Sequence, residues 1–211
     1  MMNAHMNQAP VVPESVVERV PAADGQELVV DIRGTDGLPV IFLHGGGQTR
    51  RAWRRAAAAV SAAGWQAISV DQRGHGESPW REDGAYRTED FAADVVALAK
   101  RWPRPALVGA SLGGLAGLTA IGALGLEARA LVLVDVTIAN SREGADRIRS
   151  FMRAYPNGFA SPEEAAEAVA AYLPHRTKPR STRGLMANLR KMPDGRYHWH
   201  WDPRFLDHHR G

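Results

Sequence analysis

The chain has 211 residues, of which 45% are hydrophobic and 23% are charged, and its formal net charge is +3. These values are typical of one globular domain with a substantial core, and the small net charge gives no electrostatic reason to expect a nucleic-acid partner. The absence of cysteine excludes disulfides, a thiol nucleophile and cysteine-based metal sites. Residues 1–13 lack the basic and apolar stretches of a secretion signal, so we expect a cytoplasmic protein.

A hairpin and a series of buried strands are predicted for the first part of the chain. Segments 15–20 and 26–33 alternate partly between apolar and polar residues and are joined by Asp24-Gly25, which favours a tight turn. Strands buried on both faces are indicated by four short, nearly continuous apolar runs, at 40–44, 67–71, 106–110 and 130–136. Helical patterns separate these runs, so we predict an α/β fold with a doubly wound, mostly parallel sheet.

The rest of the chain is predicted to be helical. Helical patterns cover 142–154, a segment that begins at Ser161-Pro162, and 181–191. We interpret these as a helical cap inserted over the sheet. The predicted organisation is a flexible N-terminus (1–14), an α/β core (15–139), the cap (140–195) and a segment that returns to an incomplete core (196–211).

The pentapeptide at 109–113, Gly-Ala-Ser-Leu-Gly, has the pattern G-x-S-x-G between a predicted strand and a predicted helix. A serine at such a turn sits in strained backbone geometry, which only small residues two positions before and after it permit. The turn would expose the Ser111 hydroxyl and direct the N–H of Leu112 toward a developing oxyanion. Ser111 is therefore the candidate nucleophile.

Two further motifs follow buried strands: His44-Gly45-Gly46-Gly47, and the loop at 71–78, Asp-Gln-Arg-Gly-His-Gly-Glu-Ser. With the serine motif they make residues 15–205 resemble the α/β-hydrolase superfamily, particularly its capped branch of small-molecule esterases, epoxide-hydrolase-like enzymes and cofactor-free haloperoxidases. The resemblance implies that Ser111 is the nucleophile, that the amides of Gly46 and Leu112 form the oxyanion hole, and that no cofactor is used. A serine at this strand-to-helix turn, called the elbow below, favours acyl transfer over epoxide opening or dehalogenation.

The resemblance also implies an acid and a histidine on loops after later strands, and we expect both beyond Gly211. The part that carries them would be about two βα units, which at roughly 30 residues each is on the order of 60 residues. Within the chain, Asp135 ends the strand at 130–136 and is either the acid or a residue that caps the next turn. His75 is predicted to pack and hydrogen-bond rather than to act as a base. Four histidines follow the cap helices, His198, His200, His208 and His209, but they lie where the cap returns to the sheet and not after a later strand. Because a serine without a histidine base is a poor nucleophile, we expect weak or no activity from the 211-residue chain alone.

The run Tyr197-His198-Trp199-His200-Trp201-Asp202 offers a second chemistry. If it is extended, His198, His200 and Asp202 share one face, which resembles the H-x-H-x-D core of a metal-dependent hydrolase. Pro203 stands where that motif carries a further histidine, and similar W-x-W-D-P stretches close the cap in the capped hydrolases. We therefore predict no metal, with a metal-dependent hydrolase as the weaker alternative.

Partners are predicted by exclusion. Residues 106–126 carry no charge and are long enough to cross a bilayer, but the serine motif divides them into strand, turn and helix, so no membrane is expected. The pairs Arg50-Arg51 and Arg54-Arg55 are predicted to lie on a solvated helix face, so no nucleic acid is expected. We predict a small-molecule substrate and self-association through the strand at 130–136 if it forms the sheet edge. The main functional alternative is a non-catalytic pseudo-hydrolase that keeps the pocket as a binding module.

Overall fold

The structure is a computed structural model that describes residues 14–136, 142–175 and 181–207. The described part contains a six-stranded sheet in the order β1-β2-β4-β3-β5-β6. The strands are β1 (Val16–Pro21), β2 (Glu27–Arg33), β3 (Pro39–Leu43), β4 (Gln66–Val70), β5 (Ala106–Ala110) and β6 (Ala130–Val134). The hairpin β1–β2 is antiparallel and β2 pairs antiparallel with β4, whereas the other neighbouring strands pair in parallel. The predicted α/β fold with a mostly parallel sheet is confirmed.

Helices cover both faces of this sheet. A 3-10 turn (Arg50–Trp53) leads into α1 (Arg54–Ala62), which packs over Val40 and Phe42. On the opposite face, α2 (Thr88–Arg101) and α3 (Leu112–Gly122) pack over Ile41 and Leu43. Because successive strand residues point to opposite faces, one apolar strand supplies both cores.

The uncharged run at 106–126 is divided as predicted, into β5, the turn at Ser111 and α3. No helix in the described part of the chain has both the length and the apolar character needed to span a membrane.

The second half of the described chain contains helices and one small hairpin. Helices α4 (Arg142–Arg153) and α5 (Pro162–Tyr172) match two predicted helices, and the Ser161 hydroxyl caps α5 by accepting a hydrogen bond from the Glu164 amide. The prediction of a helix over 181–191 is wrong. The segment forms a 3-10 helix (Thr182–Asn188) and then β7 (Leu189–Lys191), which pairs with β8 (Tyr197–Trp199). Asp194-Gly195 makes the turn, where Gly195 has φ +83°, a conformation that glycine tolerates.

The segment after β8 returns to the loop that follows β4. The Asp202 amide donates to the Gly74 carbonyl, and the Gly76 amide donates to the His200 carbonyl, both at 2.8 Å. Phe205 and Leu206 join the main core. The division into core, cap and return segment stays a prediction, and the predicted flexible N-terminus lies outside the described residues except for Glu14.

Candidate active site

Ser111 lies at the sharp turn between β5 and α3. Its backbone has φ 44° and ψ −113°, in a region that a residue with a side chain rarely adopts. The strain is held by packing on both sides, and the side chain is exposed. The local sequence therefore produces the strained, accessible serine that the motif predicts.

The two glycines of the motif are required by close contacts. A Cβ atom on Gly109 would lie 2.5 Å from the Gly113 carbonyl oxygen, and one on Gly113 would lie 2.4 Å from the Leu43 carbonyl oxygen. Both distances are far below van der Waals contact and both involve backbone atoms, which cannot move aside cheaply. The first turn of α3 thus sits directly on β3 and β5.

The glycine loop after β3 lies beside Ser111. Strands β3 and β5 are parallel neighbours with Leu43 in register with Gly109, so the loops that follow them leave the same edge of the sheet. A Cβ atom on Gly45 would lie 3.6 Å from the Ser111 Cβ. The structure thus brings together the two segments from which the sequence predicts an oxyanion hole.

The amides of this loop are not equivalent. Gly45 N–H donates to the Gln48 side-chain oxygen at 3.0 Å, and Gly47 N–H donates to His75 Nε2 at 3.1 Å. None of the described residues accepts a hydrogen bond from Gly46 N–H or from Leu112 N–H at the start of α3. The two amides named as the oxyanion hole are therefore the ones left free within the described chain.

Two buried histidines, His44 and His75, hydrogen-bond to the backbone of the glycine loop. His75 Nδ1 donates to the Arg73 carbonyl and its Nε2 accepts from Gly47, while His44 Nδ1 donates to the Gly45 carbonyl and its Nε2 accepts from Gln72 N–H. Each ring is therefore neutral with both nitrogens occupied. Burial lowers the pKa of His44 to about 4 and that of His75 to about 3.

Most of the chain matches a known protein family. The match covers residues 39–179, and the family is described as alpha/beta hydrolase fold. The chain belongs to this family. The α/β-hydrolase fold is also that of a hydrolase from Novosphingobium aromaticivorans, which superimposes with a TM-score of 0.80 at 24% identity over 92% of this chain and 71% of the other.

Two sequence relatives of this α/β hydrolase carry esterase names. Esterase Rv0045c of Mycobacterium tuberculosis is 32% identical over 199 residues, which are 90% of this chain and 64% of the relative. Its solved structure has a TM-score of 0.71 at 31% identity over 92% of this chain and 67% of that one. Protein phosphatase methylesterase 1 of Bos taurus is 32% identical over 141 residues, 64% of this chain and 37% of the relative. The chain thus spans less than two thirds of the length of both relatives.

An ionic cluster anchors the loop that follows β4. The buried Arg50 guanidinium pairs with Asp31 at 2.9 Å, with Glu77 at 2.9 Å and with the fully buried Asp71. The prediction that Arg50 lies on a solvated helix face is therefore wrong, because Arg50 belongs to the 3-10 turn before α1 and points at the sheet. Arg51, Arg54 and Arg55 are exposed as predicted.

Asp135 follows β6 and so lies at the same sheet edge as Ser111, whose amide donates to the Val134 carbonyl at 3.0 Å. Its backbone has φ 54° and its side chain is exposed. Within the described chain no side chain hydrogen-bonds to the Ser111 hydroxyl, and His208 and His209 lie outside the described residues. The roles of Asp135, Ser111 and the two amides stay predictions.

The run at 197–202 is built into the fold. Asp202 accepts hydrogen bonds from the Tyr86 hydroxyl at 2.6 Å and from Arg204 Nε at 3.0 Å, and His198 packs on Gly158. Across the described ranges, no three His, Asp or Glu side chains are grouped closely enough to hold a metal ion. The H-x-H-x-D resemblance thus gains no support from the geometry.

A cavity of about 330 Å³ lies beside the glycine loop, and Ser111 is not among the residues that line it. Met152 and Trp201 line it and also lie next to Gly47, at 3.2 Å and 3.7 Å from the position of a Cβ on that glycine. The two side chains therefore separate this cavity from the glycine loop.

Sequence reasoning missed the residues that hold the glycine loop in place. Gln48 carries a usable signal, since it is a polar residue directly after the glycines and reaches back to Gly45. Phe205, whose ring lies 3.4 Å from the position of a Cβ on Gly46, carries none, because its contact spans most of the chain.

Proposed function

We propose that this chain carries the nucleophile and the oxyanion hole of a serine hydrolase that acts by acyl transfer on small, largely apolar esters, lactones or related carbonyl compounds. One observation carries the proposal: the strained, exposed Ser111 stands beside a glycine loop whose Gly46 amide is free among the described residues. The esterase names of two relatives support hydrolysis of an ester.

In the proposed reaction Ser111 Oγ attacks the substrate carbonyl carbon and loses its proton to a base. The carbonyl oxygen becomes an oxyanion and accepts hydrogen bonds from Gly46 N–H and Leu112 N–H. The alcohol then leaves with a proton, and water later cleaves the acyl-serine ester to release the acid. Removing one oxyanion-hole donor in an enzyme of this kind costs about 10²–10³ in turnover, so two preorganised amides are a substantial source of rate.

We infer that the described part of the chain places no base beside Ser111, because none of its side chains hydrogen-bonds to the Ser111 hydroxyl. His44 and His75 have both ring nitrogens occupied and lowered pKa values, so neither is poised to accept the Ser111 proton. Loss of the base in a serine triad costs about 10⁶ in turnover, leaving about 10³–10⁴ over water from the oxyanion hole and binding. We therefore expect the 211-residue chain to hydrolyse esters weakly or not at all.

Chemical rescue tests the proposal on the chain as it is. Added imidazole should increase the hydrolysis of p-nitrophenyl butyrate beyond the rate that imidazole gives by itself, because it can take the Ser111 proton. The Ser111→Ala variant should give only the background, whereas Ser150→Ala, a change at an exposed helical serine, should behave like the parent chain. Equal rates for the parent chain and Ser111→Ala at every imidazole concentration would overturn the proposal.

A binding module without catalysis is the second candidate. The observation that favours it is that no described side chain hydrogen-bonds to the Ser111 hydroxyl. Such a protein would bind an ester without turning it over, with or without imidazole.

We also propose a cytoplasmic location, which fractionation of the native host's cells would test.

A further inference from the structure

The glycine loop after β3 contains a tight turn over residues 45–48. Gln48 N–H donates to the Gly45 carbonyl at 3.1 Å, and Gly47 has φ +77°. A four-residue turn with this hydrogen bond and a positive φ at its third residue has the type II pattern, which glycine favours. The His44 side chain also reaches the Gly45 carbonyl, at 2.8 Å. The first residue of the turn is therefore held through its carbonyl by two donors.

The Gln48 side chain closes the same turn a second time. Its Oε1 accepts a hydrogen bond from Gly45 N–H at 3.0 Å, so the two residues are joined by two hydrogen bonds that run in opposite directions. Because the Gly45 amide is partly buried, losing this acceptor would leave it short of a partner and would favour a shift of the loop. The Gln48 carboxamide oxygen thus fixes the orientation of the Gly45 amide.

This hydrogen bond determines which amide of the turn is left for a substrate. Gln48 N–H is used within the turn, and Gly47 N–H donates to His75 Nε2 at 3.1 Å. With Gly45 N–H held by Gln48 Oε1, Gly46 N–H is the remaining amide, and no described residue accepts from it. A donor whose neighbours are all held in place is preorganised and needs no reorganisation when charge develops on a substrate.

The anchored glycine lies against the nucleophile. A Cβ atom on Gly45 would lie 3.2 Å from Gln48 Oε1 and 3.6 Å from the Ser111 Cβ. The carboxamide and the nucleophile therefore flank the same point of the loop. A shift of Gly45 would change the distance between Ser111 and the Gly46 amide. Catalytic geometry is sensitive to such a change, since a misplacement of about 1 Å can cost about 10²-fold in rate.

We propose that Gln48 is a positioning residue of the oxyanion hole. Its side-chain oxygen holds Gly45 N–H and so keeps Gly46 N–H directed at the oxyanion that forms when Ser111 attacks a carbonyl. The inference rests on the proposed serine-hydrolase function. Gln48 acts through the loop and not on the substrate, so the property that matters is a hydrogen-bond acceptor at the end of a side chain of this length.

Two substitutions separate this role from a contact with the substrate. Gln48→Met has a similar length but only a weakly accepting thioether, so it releases the Gly45 amide. Gln48→Glu keeps the length and an acceptor oxygen but loses the two N–H donors. Positioning through Gly45 predicts that glutamate preserves the oxyanion hole and methionine does not. A direct hydrogen bond from the Gln48 carboxamide to the substrate predicts the reverse order, because a carboxylate repels an oxyanion.

Hydrolysis of p-nitrophenyl butyrate at one imidazole concentration measures the effect, after the rate of Ser111→Ala is subtracted. Gln48→Met should lower kcat about tenfold to hundredfold and change KM by less than about twofold, because the amide acts on the transition state. Gln48→Glu should stay within about threefold of the parent kcat. Gln66→Met is the matched control and should keep the parent kcat, since Gln66 begins β4 and its carboxamide donates to the carbonyls of Gly34 and Thr35.

Amide hydrogen exchange gives a readout that does not depend on activity. Gly45 N–H should exchange slowly in the parent chain and in Gln48→Glu, and about tenfold faster or more in Gln48→Met. Urea unfolding should show that all three proteins are folded, since Gln48 is exposed.

Three results would overturn this inference and leave the proposed function intact. A kcat of Gln48→Met within about twofold of the parent would mean that the loop needs no acceptor at this position. A Gln48→Glu variant slower than Gln48→Met would mean that the side chain acts on the substrate directly. Equal exchange of Gly45 N–H in the parent chain and in Gln48→Met would mean that the hydrogen bond does not hold the amide. A parent chain no faster than Ser111→Ala would overturn the proposed function, and this inference with it.

Discussion

The Tyr86 hydroxyl donates a 2.6 Å hydrogen bond to Asp202 Oδ2, and both side chains are almost fully buried. The same hydroxyl accepts from the Arg81 amide at 2.7 Å. This contact joins the region before α2 to the segment that returns from the cap helices, 116 residues later. The return segment in turn places the Phe205 ring against Gly46.

Replacement of Tyr86 by phenylalanine should lower the free energy of unfolding by about 1–3 kcal/mol, because a buried carboxylate loses a donor and a partly buried amide loses an acceptor. Urea unfolding measures the change. Tyr172→Phe is the matched control, since that hydroxyl has no hydrogen bond among the described residues and should change stability little. Equal losses for the two variants would contradict this role for the Tyr86 hydroxyl.

Glycines of α3 should differ sharply in their tolerance of alanine. Gly113→Ala forces a Cβ within 2.4 Å of the Leu43 carbonyl oxygen and should destabilise the protein by about 3 kcal/mol or abolish folding. Gly122→Ala meets no atom of the described residues within 4 Å and should be neutral or stabilise by up to about 1 kcal/mol through helix propensity. Thermal unfolding of the two variants checks this. A Gly113→Ala protein as stable as the parent would mean that α3 does not rest on β3 as described.

The buried ionic cluster predicts that replacing Arg50 lowers the free energy of unfolding much more than replacing its neighbour Arg51. Arg50→Met leaves the fully buried Asp71 without its guanidinium partner and should cost about 3–5 kcal/mol of unfolding free energy. Arg51→Met removes only a 3.5 Å pair between side chains about half exposed, and its cost should stay below about 1 kcal/mol. Chemical denaturation separates the two; similar costs would place Arg50 on the surface.

The neutral histidines predict a pH dependence of stability. His44 and His75 have lowered pKa values in the folded chain, about 4 and about 3, against 6.5 in the unfolded chain. The unfolded chain therefore binds more protons below about pH 6.5, and stability should fall as the pH decreases from there toward pH 4. The slope is about 1.4 kcal/mol per pH unit for each histidine. His75→Gln should reduce the slope of unfolding free energy against pH by the contribution of one histidine, as measured by urea unfolding at several pH values. An unchanged slope would contradict the lowered pKa of His75.

Much of the sheet and of the elbow could be predicted because the signals are local. Ser111, Gly109 and Gly113 lie within five consecutive residues, and the strand pattern at 106–110 matches β5. The buried face of α2 is also a local signal, because Phe91, Val95 and Leu98 recur at helical spacing.

The parts that were missed depend on partners distant in sequence. In the sequence, Arg50 is one of several arginines at the start of a helix, and its partners Asp31 and Asp71 come close to it only when the sheet forms. The segment at 181–191 has helical composition, but burial of Leu189 beside Phe159 and the turn at Asp194-Gly195 favour a hairpin. Tertiary contacts of this kind override local propensity.

Acylation of Ser111 tests the central claim most directly. The chain is incubated with p-nitrophenyl acetate, and intact-mass and peptide mass spectrometry locate any acetyl group. The acetyl-serine ester has a poorer leaving group than p-nitrophenyl acetate, so without a nearby base its hydrolysis should be slower than its formation, and an acyl-enzyme should accumulate. The proposed function predicts one acetyl group on Ser111, formed faster with added imidazole and missing in Ser111→Ala. Acetylation that is confined to surface lysines, or that is the same in Ser111→Ala, would contradict it.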